Sequence, residues 1–138
     1  MANGTNYAKY AAPDPANFMG AEWGGRVRAT HESYTFASAA IGTKVNVGVL
    51  KPGEVYLDGF IHGADLGSAT TLQLGDAGDD DRYLAATVFT TANQVTACRK
   101  AEGLGYKNDT ADDIPIVLKT GTEEASGAVE VVIFKAGR

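Results

Sequence analysis

Residues 44–62, KVNVGVLKPGEVYLDGFIH, decide how this chain is read. Val45, Val47 and Val49 alternate with Lys44, Asn46 and Gly48, which is the period of a half-buried β-strand. Lys51-Pro52-Gly53-Glu54 then interrupts the alternation. Proline in the second turn position and glycine in the third is a type II turn signature, because glycine accepts the positive φ required there. Alternation resumes over Val55 to His62, with Val55, Leu57 and Ile61 on one side and Tyr56, Asp58, Phe60 and His62 on the other. Two alternating runs joined by so short a turn predict a β-hairpin.

The same signals extend outward. Arg26 to Phe36 is β-prone without clean alternation and predicts an irregular strand. Ala69 to Gly75 predicts a strand with Leu72 and Leu74 inward, and Arg82 to Phe89 another after the loop Asp76 to Asp81. Asn93 to Lys100 reads as a strand or a short helix, inside the poorly patterned stretch 90–112. Ile114 to Lys119 and Ala128 to Phe134 close the chain as two strands. Pro115 cannot donate a ladder hydrogen bond, so its strand lies at an edge or begins there. About seven or eight short strands without a long helix predict an all-β domain, a β-sandwich or jelly-roll-like fold, over residues 26–138.

Length and composition narrow the function. A chain of 138 residues with 44% hydrophobic and 21% charged residues is enough for one folded domain. The net charge is −5 and no basic cluster is longer than Arg99-Lys100, which argues against nucleic-acid binding. The lone Cys98 cannot form an intrachain disulfide. No apolar run approaches a membrane span, and the N-terminus lacks the basic-then-apolar pattern of a signal peptide, so a cytoplasmic site of synthesis and assembly is expected. Two histidines and scattered serines form no triad, and no glycine loop has a phosphate-binding context. The chain reads as a non-enzyme with no cofactor.

Asp76, Asp79, Asp80 and Asp81 are the one dense cluster of oxygen ligands. Asp76, Asp79 and Asp81 are thereby candidate calcium ligands, although the run does not match the helix–loop–helix calcium pattern. The alternative is a solvated turn in which aspartates cap backbone NH groups and Arg82 neutralises part of the charge.

Residues 1–25 differ from everything after them. They carry no helical or alternating period, yet hold the chain's single tryptophan, Trp23, with Tyr7, Tyr10 and Phe18. Ordering so many residues costs a few tens of kcal/mol at about 1–2 each. Four buried aromatics return only about 1.5–3 kcal/mol apiece. The segment is therefore expected to be an extended N-terminal arm that takes its shape against a partner, or else a plain tail. The aromatics favour the arm, with Tyr7, Tyr10, Phe18 and Trp23 as anchors.

Several short stretches together resemble small virion structural proteins of tailed bacteriophages. They are the leader with its Asn, Tyr and Lys, Gly24-Gly25-Arg26-Val27, Glu32-Ser33-Tyr34-Thr35, Leu50-Lys51-Pro52-Gly53-Glu54, Ala64-Asp65-Leu66-Gly67 before Leu72-Gln73-Leu74-Gly75-Asp76, Asp79 to Ala85, Asp113 to Leu118 and Gly127 to Phe134. Within that class the chain looks most like a capsid decoration (cement) protein. The resemblance implies a β-rich domain on the outer capsid surface that clamps adjacent major capsid protein subunits, often as a homotrimer. The alternatives are another virion position (tail tube, head–tail connector or head-fibre base) and a calcium-dependent carbohydrate-binding β-sandwich.

Overall fold

The computed structural model describes residues 26–137. The arm, residues 1–25, and its anchors Tyr7, Tyr10, Phe18 and Trp23 lie outside them. Eight strands form: β1 (Arg26–Ala39), β2 (Lys44–Leu50), β3 (Val55–Gly63), β4 (Thr71–Gly75), β5 (Leu84–Val88), β6 (Gln94–Ala97), β7 (Ile114–Gly121) and β8 (Ala125–Gly137). They make two four-stranded antiparallel sheets, the first in the order β1-β8-β3-β6 and the second β2-β7-β4-β5. Across the two sheets β1 pairs with β8, β2 with β7, β3 with β6 and β4 with β5. That is a long antiparallel ribbon, turned back between β4 and β5 and rolled into two layers, the jelly roll.

The core lies between the layers. Tyr56, Ile61, Val131 and Ile133 of the first sheet face Val47, Leu50, Leu72, Leu74, Ile116 and Leu118 of the second, all buried. Leu72 and Leu74 point inward as expected. The ambiguous stretch Asn93 to Lys100 is a strand at β6, and Cys98 behind it is buried.

The predicted β2–β3 hairpin does not form. The turn itself is present, with Gly53 at φ +84° and Glu54 N–H donating to the Lys51 carbonyl at 2.9 Å. It joins strands of opposite sheets, however: β2 pairs with β7, and β3 with β8 and β6. The physical reason is that other groups capture the hydrogen bonds a hairpin would share. Asn108 Nδ2 donates to the Leu50 carbonyl at 2.8 Å, and its backbone exchanges bonds with Gly53 and Glu54. The buried Glu54 carboxylate accepts the Lys51 N–H at 2.7 Å.

Bulges also shift the predicted faces. The β2–β7 register slips between Asn46 and Gly48, so Gly48 and Leu50 turn inward after Val47, and Val49 leaves the face of Val45 and Val47. In β3 the register slips between Tyr56 and Asp58. Tyr56 is therefore buried and Leu57 exposed, instead of Leu57 sharing the side of Ile61. Pro115 stands second in β7, a central strand, so it marks a beginning and not an edge.

A candidate docking face on the first sheet

Opposite residues of an antiparallel pair share a face. With Val129, Val131 and Ile133 buried, the alternate β8 residues Glu130, Val132 and Phe134 must point outward. Register then sets Ala29, His31 and Ser33 of β1 beside them, Asp58, Phe60 and His62 of β3 on the other flank, and Val95 and Ala97 of β6 beyond. One row across the sheet reads His31, Val132, Phe60, Ala97. Phe60 and Phe134 stack at a tilt, 6.3 Å between centroids, and Val95 is 64% exposed. Polar groups rim this apolar centre: Arg99 holds Asp58 with two hydrogen bonds of 2.9 and 3.0 Å, and Glu130 lies between the two histidines.

The outer face of the second sheet is built differently. Lys44, Asn46, Val117, Lys119 and Gln73 stand there, and a cavity of about 170 Å³ opens among Lys44, Asn46, Asp76, Asp80 and Lys119. A solvated sandwich face normally alternates toward polar side chains. The second sheet sets Lys44, Asn46, Gln73 and Lys119 around Pro115 and Val117, whereas the first sets Phe60, Val132 and Phe134 at its centre.

Strand β1 adds a second unusual surface. It is 14 residues long, forms an edge of its sheet and, among its described side chains, buries only Phe36. Arg28, Glu32 and Tyr34 point to the same side as buried Lys135, Val131 and Val129, yet all three are exposed. The strand overhangs the second sheet. Long exposed edges are templates for pairing with another chain, and Gly24-Gly25 connects the arm to this one.

The acidic loop is a turn closed on Asp76. Asp76 is buried; its carboxylate accepts the backbone N–H groups of Gly78 and Asp79 at 2.9 and 3.0 Å, and Arg82 Nε at 2.7 Å. This is the capped-turn geometry, with Arg82 as the counter-charge. The guanidinium of Arg82 also lies 4.0 Å from the Tyr106 ring centre. The carboxylates that converge are Asp79, Asp80 and Asp81, with Asp76 turned away to Arg82. Lys119 takes Asp80 at 2.8 Å and Lys100 takes Asp81 at 3.0 Å. Sequence reasoning named Asp76, Asp79 and Asp81 without seeing that lysines distant in the chain would reach the loop.

Cys98 is a free, buried thiol. Burial, helped by Asp58, pushes its thiol up to about 12. Burial likewise raises the phenols of Tyr56 and Tyr83, which stack at 4.3 Å, and Tyr56 Oη donates to the Cys98 carbonyl at 2.6 Å. These groups hold the 98–108 loop in place.

The fold has relatives of known structure. A chain of the Ralstonia phage GP4 capsid superposes with a TM-score of 0.63 and 20% identity, covering 83% of this chain and 86% of that one. A chain in the capsid asymmetric unit of cyanophage Pam1 gives 0.66 and 21% over the same shares. The fold is one found in phage capsids. A chain of the acidic stable capsid of Helicobacter pylori bacteriophage KHP30 gives 0.58 and 10%, covering 79% of this chain and 85% of that one. No protein-family model and no curated protein sequence matches this chain.

Proposed function

We propose that this chain is a non-enzymatic capsid decoration (cement) protein of a tailed phage. It binds the outer capsid surface, assembled in the host cytoplasm, and stabilises contacts between major capsid protein subunits. The observation that carries the reading is the jelly roll shared, over nearly the whole of chains of comparable length, with three phage capsid structures. The apolar outer face of the first sheet and the overhanging β1 edge supply the contact surfaces such a clamp needs.

The mechanism is mechanical. The domain sits over a junction between shell subunits as a homotrimer, with the Phe60–Phe134 face against its neighbour. Residues 1–25 add extended backbone contacts, anchored by Tyr7, Tyr10, Phe18 and Trp23. Each apolar contact buried across the junction raises the free energy of separating the subunits, and multiple linked sites raise the effective concentration without large individual affinities.

The test is addition of the purified chain to capsids lacking it. Saturable binding and a higher capsid disruption temperature are expected, and a chain deleted for residues 1–25 should bind more weakly. Failure of the full chain to bind any shell removes the cement reading. Undiminished binding of the deleted chain removes the arm from the mechanism.

A further inference from the structure

The four sheet edges of this fold are not alike. β6 closes the first sheet with four residues, and β5, at one edge of the second, has five and a bulge opposite Leu72 to Leu74. β2, at the other edge of the second sheet, has seven residues and a bulge between Asn46 and Gly48. Short or bulged edges resist pairing with other chains. β1 has neither protection: it pairs with β8 from Arg26 to Phe36 without a register shift and contains no proline and no lysine. From Val27 to Ser33 every side chain except Thr30 is exposed, on both faces of the strand. The charges along it are arranged about Thr30, with Arg28 two residues before and Glu32 two after, on the same face. Glu32 has no ion pair among the described residues. Arg28 gives one N–H to the Gly137 carbonyl at 3.2 Å and one to Glu54 Oε2 at 3.4 Å, and its guanidinium has donors beyond these.

We propose that β1 is a self-association edge, which pairs antiparallel with β1 of a second copy of this chain about a two-fold axis at Thr30. In a pair centred there, Arg28 stands opposite the second copy's Glu32, and Glu32 opposite its Arg28. One symmetric contact thereby makes two complementary charge pairs. The same register sets Ala29 opposite His31 and Val27 opposite Ser33. An axis at Arg28 or Glu32 would set like charges opposite each other, and one at Ala29 or His31 would separate Arg28 from Glu32. The charge pattern therefore selects the axis as well as the partner. The contact extends the order β6-β3-β8-β1 into its own copy as one eight-stranded sheet, and it pairs the N–H and C=O groups that the edge leaves open. It uses the strand edge and leaves the Phe60–Phe134 face uncovered. It is thus independent of the capsid reading and compatible with a trimer built on that face.

The test is disulfide trapping of the full chain in solution, in a glutathione redox buffer, read on non-reducing gels. Opposite Cα atoms of an antiparallel pair lie about 4.5–5.5 Å apart, inside the roughly 4.4–6.8 Å that a disulfide spans. T30C should therefore give a covalent dimer. Thr30 Oγ1 has no hydrogen-bond partner among the described residues, so this substitution breaks none, and the native Cys98 is buried. R28C and E32C should each run as single chains, and their mixture should crosslink, because these positions face each other across the axis. T30C/E32R sets positive charges opposite each other and should lower the trapped fraction at least about fivefold. T30C/F60E should trap as T30C does. Circular dichroism confirms that each variant is folded. Absence of a T30C dimer overturns the proposal, whether the leading segment or another protein covers the edge. Equal trapping in R28C alone and in the mixture, or trapping unaltered by E32R, overturns it too. Loss of trapping in T30C/F60E assigns the contact to the apolar face and equally overturns it. None of these outcomes depends on whether the chain binds a capsid.

Discussion

Lys135 and Glu54 form a buried ion pair, Nζ to Oε1 at 3.1 Å, that ties the end of β8 to the turn carrying the chain from one sheet to the other. Lys135 Nζ also donates to the Val49 carbonyl at 2.7 Å, and Arg28 reaches Glu54 Oε2 at 3.4 Å. The pair therefore stitches β1, β2, β3 and β8 at the point where the chain enters the first sheet. Removing one partner strands a buried charge, so Glu54→Ala should cost about 3–5 kcal/mol. The double variant Glu54→Leu/Lys135→Met should cost clearly less than the sum of its singles. Urea unfolding midpoints check both. A Glu54→Ala chain within about 0.5 kcal/mol of wild type, the range of an ordinary surface change, would mean the pair is structurally idle.

Two glycines should respond differently to alanine. A Cβ on Gly75 would collide with the backbone carbonyls of Asp79 and Asp80, which the Asp76 cap and Arg82 hold fixed. A Cβ on Gly48 would meet Ile133 Cδ1 at 2.8 Å, the far end of a side chain that can turn. Gly75→Ala should lower the melting temperature by several degrees, corresponding to a loss of about 1–3 kcal/mol. Gly48→Ala should remain close to wild type. Equal effects would contradict the distinction between rigid and yielding neighbours.

The strands were legible where alternation was clean and local: β2, β3, β4 and β8 all stand near their expected places. The partnership between strands was not. Nothing in Lys51-Pro52-Gly53-Glu54 distinguishes a turn within a sheet from one between sheets, because the deciding partner, Asn108, lies 54 residues beyond Glu54 in a stretch without pattern. Bulges were equally hidden, since one extra residue at Val47 or Leu57 changes faces without changing composition. The outer face of the first sheet could have been found by one signal, Phe60 alternating with Asp58 and His62. Its weight came only when register set Phe134 and Val132 beside it.

Cys98 should be chemically silent until the domain opens. Its sulfur is buried and its thiol sits near 12, so almost no thiolate exists at pH 8. Ellman's reagent should react negligibly with the native chain and stoichiometrically in 6 M guanidinium. Prompt native reaction would show that the 98–108 loop opens readily.

Acid should act partly through Asp58 and Asp80. Arg99 holds the Asp58 carboxyl below its ordinary value, and Lys119 does the same for Asp80. A carboxyl depressed in the folded state stabilises above its unfolded value of about 4, and the contribution is lost as pH falls through the lower folded value. Both pairs are solvent-accessible, so the effect is small. Melting temperatures from pH 5 to 2.5 should fall slightly less steeply in Asp58→Asn than in wild type. A steeper fall would reverse the assigned sign.

On the proposed cement reading, binding to a shell should depend on one face of the sandwich and not on the other. The Phe60, Val132 and Phe134 centre is only partly buried, so a charge placed there removes apolar contact area without opening the core. Phe60→Glu should weaken binding to undecorated capsids by at least tenfold, because a carboxylate must then be desolvated at the contact. Lys44→Glu, on the outer face of the second sheet, should bind as wild type does. The comparison holds only if both variants melt within a few degrees of the parent, which differential scanning calorimetry establishes first. Should Lys44→Glu fail to bind while Phe60→Glu succeeds, the protein meets its shell through the lysine-bearing sheet, and the apolar face serves another contact.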